Sequence, residues 1–114
     1  MTRTLALLGL VCSCREPLAP AQAHAQAQQI WSERCANCHG PGGRGDGPGA
    51  KLLPKPPRNF ADAQWQSSAD DARIAQVIVD GGPALGLDRN MAANPDLRRK
   101  PEVVAALVEI VRGF

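Results

Sequence analysis

Tyrosine is absent from this 114-residue chain, and two Trp and two Phe bring its aromatic content to only 4%. A chain of this length makes at most one small domain. With so little large apolar material, that domain has a thin core by itself, and a bound group that enlarged the core would relieve the shortage. Charge is equally sparse. The formal net charge is +2, too weak to select nucleic acid or an anionic membrane surface as a partner. No stretch alternates apolar and polar residues as a half-buried strand does. The longest apolar run at the N-terminus, Leu5 to Cys14, has ten residues, about half of what a membrane-spanning helix needs.

That run has a different use. Met1-Thr-Arg-Thr is short and basic, the apolar stretch follows, and "REPLAPAQAHAQAQ" is rich in Ala, Gln and Pro. A charged start, an apolar stretch and a small-residue cleavage region make an export signal, expected over residues 1–25. Two processing routes are open. Ala-x-Ala sites end at Ala23, Ala25 and Ala27, with cleavage after Ala25 expected. Alternatively "VCSC" is a loose lipobox, in which Cys14 is lipidated and the following residues form a tether. Cleavage after Ala25 removes Arg3, Arg15 and Glu16, lowering the net charge by one, so charge still selects no partner.

Over residues 26–114 the pattern is helical. In "QAQQIWSERC", Ala27, Ile30, Trp31 and Arg34 share one face. "SSADDARIAQVIVDGG" predicts a helix capped by Ser68 with Asp71 as its box partner, buried through Ile74, Val77 and Ile78 and stopped at Gly81. "PEVVAALVEIVRG" predicts another, with Pro101 in its first turn and stripes of Val103, Leu107, Ile110 and Val104, Val108, Val111. Lys100 is a poor cap there, and the basic run "RRK" opposes the helix dipole. Residues 40–59 hold six Gly and five Pro, which rules out a helix or central strand. A loop that long belongs in a compact domain only if it wraps something. A second loop, "GPALGLDRNMAANPD", carries Met91.

The chemistry sits in "CANCHGPGG", residues 35–43. A zinc site wants four ligands, usually from two such pairs, yet no Cys follows Cys38 and the only other His is His24. A thioredoxin-like dithiol wants a βαβ context, which this helical chain does not offer. Cys-x-x-Cys-His suits covalent haem: each thiol adds to a vinyl group, and the next residue, a histidine, is held under the iron. Export agrees, because the attachment consumes both thiols before an oxidising compartment can pair them. A haem also supplies the missing core.

With "CANCHGPGGRGDGPG", "PKPPRNF", "GGPALGL" and "LVEIVRG", residues 26–114 resemble the small monohaem bacterial cytochromes c of class I. The resemblance implies an all-α cytochrome c fold, with three main helices and long loops around one covalently bound haem c. It implies thioethers at Cys35 and Cys38, His39 as proximal ligand through Nε2, the Pro48 carbonyl as acceptor for the His39 Nδ1–H, and Met91 as distal ligand. Arg58 and Trp65 are candidates for binding the haem propionates, against ordinary surface and packing roles. Ala92 stands where the family often has Pro after the ligand Met. Ala27 and Ile110 replace the small-residue and aromatic pair that joins the family's terminal helices.

Such a chain is expected to carry single electrons between redox protein partners, a donor and an acceptor, and not to be an enzyme. With His39 and Met91 on both axial positions no site is open for substrate. The alternative is a haem enzyme or small-ligand sensor with an open distal site. The expected location is the periplasm or another exported compartment, with membrane contact only through a lipid anchor at Cys14.

Overall fold

A computed structural model describes residues 14–114. The export signal's charged start and apolar run lie outside the described residues, except for Cys14. The described chain contains helices α1 (Pro20–Ile30), α2 (Ala36–His39), α3 (Ala63–Ser68), α4 (Asp71–Asp80) and α5 (Pro101–Arg112), and no strand. Short 3-10 turns cover Pro48–Leu52, Pro83–Leu85 and Pro95–Arg99. The expected three helices are therefore present, and α3 and the 3-10 turns add structure inside the long loops.

The first helix differs most from expectation. It starts at Pro20, six residues before the expected boundary, and runs on through a π turn, Trp31–Cys35, into α2. Pro20 suits the first turn because its missing N–H needs no partner there. The Gln22 side chain accepts the Ala19 N–H at 3.3 Å. Tertiary packing explains the extension: Ala23 is buried at 3% exposure and Ala27 at 0%, both on the face that meets α5. Alanines there let the two helices approach closely. Upstream, the Arg15 guanidinium donates to the Arg99 carbonyl and, at 3.2 Å, to the Glu102 carboxylate, which also accepts the Leu18 N–H.

Helix α5 is the hub, packed by α1 on one side and α4 on the other. Its Val103 and Leu107 are among the most deeply buried side chains, at 0% and 1% exposure. Val104, Val108 and Val111 are buried beside them, and Ile110 is only partly covered. Pro101 opens α5, and Lys100 caps it with no side-chain bond. Arg112 ties the far end of α5 to the α3–α4 junction: its Nε donates to Asp71 at 2.8 Å, and its other nitrogens reach the Gln66 and Ala69 carbonyls.

The start of α4 also departs from expectation. Asp70 is its N-cap, accepting the Arg73 N–H at 2.7 Å. Ser68 is instead the last residue of α3, with its hydroxyl turned back onto the Trp65 carbonyl at 2.9 Å. Gly81 ends α4 with φ of 78°, as the sequence predicts. Among the described residues, no helix is long and apolar enough to cross a membrane.

Candidate functional site

The two cysteines and the histidine sit on one continuous helical run: Cys35 ends the π turn, and Cys38 and His39 lie in α2. A π turn adds one residue to the helical ladder, advancing every later side chain by ~100° about the axis. Here it stands between Trp31, which is buried in the core, and Cys35, which is half-buried at its edge. Thus one helix points its first half at α5 and its last turn elsewhere.

His39 stands among aromatic rings. Its imidazole stacks on Phe60 with centroids 4.5 Å apart and planes at 17°, and Trp31 lies at 6.1 Å. Phe60 touches Trp65 at 5.0 Å, and Trp31 touches Phe114 at 5.1 Å. All four aromatic residues of the chain therefore form one connected cluster, of which Phe60 and Trp31 meet this histidine. Burial lowers the His39 pKa, which favours the neutral, ligand-competent imidazole, and the Arg58 backbone carbonyl offsets part of that effect. The His39 Nδ1 atom is buried and makes no hydrogen bond. The Arg58 carbonyl thus lies close enough to act on the ring without completing a bond at Nδ1. Cys35 responds to burial in the opposite sense: desolvation of the thiolate pushes its pKa up to about 11, with Arg34 pulling it weakly down.

The glycine-rich loop clasps this turn by its backbone. The Gly45 N–H donates to the His39 carbonyl at 2.8 Å, and the Gly47 N–H donates to the Cys38 carbonyl at 3.1 Å. Gly47 comes so close that a Cβ would collide with the Ala36 and Asn37 carbonyls. The loop closes on itself where the Phe60 N–H meets the Gly43 carbonyl at 2.7 Å, and that closure delivers Phe60 to His39.

Of the residues expected at the site, the structure brings together Cys35, Cys38, His39, the Arg58 backbone and, through Phe60, Trp65. Pro48 is exposed at the start of its 3-10 turn. The backbone carbonyl that bears on the imidazole is Arg58's, and the Arg58 side chain is exposed. Met91 is half-buried in the loop after α4. That loop is pinned to the end of α4 by the Gly82 N–H on the Met91 carbonyl at 2.9 Å and the Asn94 N–H on the Val79 carbonyl at 3.0 Å. Met91 is not part of the aromatic cluster. The sequence reading missed Phe60 and Phe114 as site residues. Their signal was scarcity: a chain with four large aromatic residues has few other ways to line an apolar site.

These residues fit a covalently held haem. Two thiols three positions apart on one turn, an imidazole kept neutral by burial, an orphaned Nδ1 beside a backbone carbonyl and a wall of aromatic rings form a consistent donor set and lining. The comparisons agree. The family profile for cytochrome c matches residues 24–112. The solved structure of the KustC0563 c-type cytochrome is similar to this chain, at 34% identity over 77% of this chain and 95% of that one, with a TM-score of 0.58. No curated protein matches. The match over most of the chain, joined to the Cys-x-x-Cys-His turn and its aromatic surround, establishes that this chain belongs to the cytochrome c family.

Proposed function

We propose that the protein is a one-electron carrier of an exported electron-transfer chain, with haem c joined to Cys35 and Cys38 and ligated by His39 and Met91. The observation that carries this is the placement of His39: it follows the two thiols on one turn, half-buried, its pKa lowered by desolvation, with its ring against Phe60 and Trp31. When bound, the haem supplies an iron that changes by one electron. The protein's part is to hold and insulate it. His39 offers Nε2 to the iron, and the Arg58 carbonyl takes the Nδ1–H, the role expected of Pro48. That bond fixes the ring and strengthens it as a ligand. Phe60, Trp31 and Phe114 exclude water from the histidine side. Met91, on its pinned loop, closes the other side, and its thioether favours the reduced state. Trp65 is half-buried against Phe60 and is free to offer its indole N–H to a propionate. The donor and acceptor are redox proteins that meet the exposed rim beside the cysteines.

Optical spectra of the haem-loaded protein, oxidised, reduced and exposed to carbon monoxide, test this reading. Low-spin spectra in both states, with slow or absent carbon monoxide binding, are expected. Ready binding by the unmodified ferrous protein at neutral pH would reject Met91 ligation and put a ligand sensor or haem enzyme in its place. Extraction of the denatured protein with acidified organic solvent should leave the haem with the polypeptide.

A further inference from the structure

Arg34 stands immediately before Cys35 in the π turn, and its side chain reaches away from that run. One guanidinium nitrogen, Nη1, donates to the Asp96 carboxylate at 3.0 Å and to the Asn94 side-chain carbonyl at 3.2 Å. Both acceptors follow Met91 within five positions. Asn94 carries the connection onward. Its Nδ2 donates to the Ile78 carbonyl at 2.9 Å, and its backbone N–H donates to the Val79 carbonyl at 3.0 Å. The last turn of α4, the segment behind Met91 and the cysteine turn are thus joined by one chain of hydrogen bonds. Asn94 is half-buried, so losing a partner costs it more than it costs an open side chain.

The methionine segment needs that hold on one side only. Before Met91 the backbone closes on itself: the Gly82 N–H meets the Met91 carbonyl, and Gly82 lies so near the Asp88 carbonyl that a Cβ would collide with it. After Met91 come Ala92 and Ala93, both exposed. Neither has a polar side chain to bond with or the fixed φ of a proline, so Asn94 is the first side-chain anchor downstream. The Asp96 carboxyl is held below its ordinary range first by its hydrogen bond from Arg34, so the pair stays charged at neutral pH. An exposed ion pair contributes little by itself. This one shares its donor with Asn94, and it spans from the helical run that carries both thiols to the loop that carries Met91.

We propose that Arg34 is a positioning residue for the distal ligand: it straps the loop behind Met91 to the cysteine turn and so keeps the thioether on the iron. This role deepens the electron-carrier reading and rests on it. Imidazole, added to the oxidised, haem-loaded protein and followed in the optical spectrum, measures the hold. It enters only molecules whose methionine is off the iron, so its apparent affinity reports that fraction. Arg34→Ala should tighten imidazole binding about fivefold to tenfold, the size expected for losing a charge-assisted hydrogen bond. Arg34→Lys, whose ammonium can serve both acceptors, should recover most of the wild-type value. The control Arg98→Ala removes another surface pair of the same 3-10 turn, to Asp80 at 2.7 Å, without touching the cysteine turn, and should tighten binding less than about twofold. Equal tightening by the control overturns the proposal. In a Met91→Ala background, Arg34→Ala should change nothing; tightening that persists there puts the effect on the cysteine side and also overturns it. Amide hydrogen exchange gives a readout independent of added ligand. Arg34→Ala should speed exchange of the Asn94 N–H about tenfold at an unchanged Leu107 N–H, and unchanged exchange at Asn94 rejects the strap. Failure of the underlying reading looks different: wild type and Met91→Ala would then bind imidazole equally well, which removes Met91 as distal ligand. Weak binding by wild type, strong binding by Met91→Ala and weak binding by Arg34→Ala would reject the strap alone.

Discussion

The imidazole of His39 lies flat against the ring of Phe60, centroids 4.5 Å apart and planes within 17° of parallel. Phe60 is buried at 8% exposure and also meets Trp31, Trp65 and Phe114, so one side chain links the loop, α3 and the chain end to the histidine.

Replacing it therefore reaches both stability and the site. Phe60→Ala should cost about 3–5 kcal/mol, the range for removing a buried ring. Phe60→Leu, which keeps most of the volume, should cost about half as much or less. Denaturant unfolding of the haem-loaded proteins measures both. Equal stability of wild type and Phe60→Ala would mean that the stack carries no packing load.

Met91→Ala should open the distal side while leaving the haem attached through its thioethers. The expected results are a lower reduction potential, high-spin character and rapid carbon monoxide binding, read by redox titration and optical spectra. An unchanged spectrum would assign the distal ligand elsewhere.

Cys35 gives a pH signature. Its thiol has an ordinary pKa near 9.0 and is raised by burial to about 11. Between those values the unfolded chain gives up a proton that the folded chain retains, so this group's contribution to stability is complete below pH 9 and is lost as pH rises toward 11. Before haem attachment, alkylation of Cys35 by iodoacetamide should accelerate toward pH 11, as followed by peptide mass spectrometry. Half-maximal reaction near pH 9 would contradict burial. After attachment neither Cys35 nor Cys38 should react.

The N-terminal boundary is open to direct measurement. A chain starting at Gln26 loses buried Ala23 and the Arg15 and Leu18 bonds to Glu102. One buried methyl contributes about 0.8 kcal/mol, so that chain should be less stable than one starting at Arg15 by about that amount. These contacts favour a mature protein that keeps this segment, and lipid-linked processing at Cys14 would keep it whereas cleavage after Ala25 would not. The intact mass of the exported protein decides, with a diacylglycerol marking the lipid route.

Asp70→Ala should destabilise by about 1 kcal/mol through loss of the α4 cap. Ser68→Ala, which removes a bond outside that helix's first turn, should cost less. Thermal unfolding of the two variants compares them, and the reverse order would restore Ser68 as the cap.

Local rules carried much of the site. Cys35, Cys38 and His39 are legible because their chemistry depends on spacing along one turn, and the Gly- and Pro-rich stretch is legible as a loop because those residues cannot sustain a helix. Pro101 and Gly81 mark helix ends for equally local reasons. The α5 stripe also reads directly, since a hub helix shows its apolar periodicity on more than one side. Caps are harder: Ser68, Asp70 and Asp71 are all acceptable within a few residues, and α3, ending at Ser68, settles the choice.

Composition, spacing and periodicity in the amino-acid chain fixed the helical class and marked the Cys-x-x-Cys-His turn, because each depends on residues within a few positions of one another. Tertiary structure decided that the first helix begins at Pro20 and that Trp31, Trp65 and Phe114 meet at the Phe60 ring. Those outcomes depend on the closure between Gly43 and Phe60 and on the packing of α1 against α5. Such contacts join residues far apart in sequence, and side-chain burial, which local pattern does not reveal, selects among the arrangements that local geometry allows.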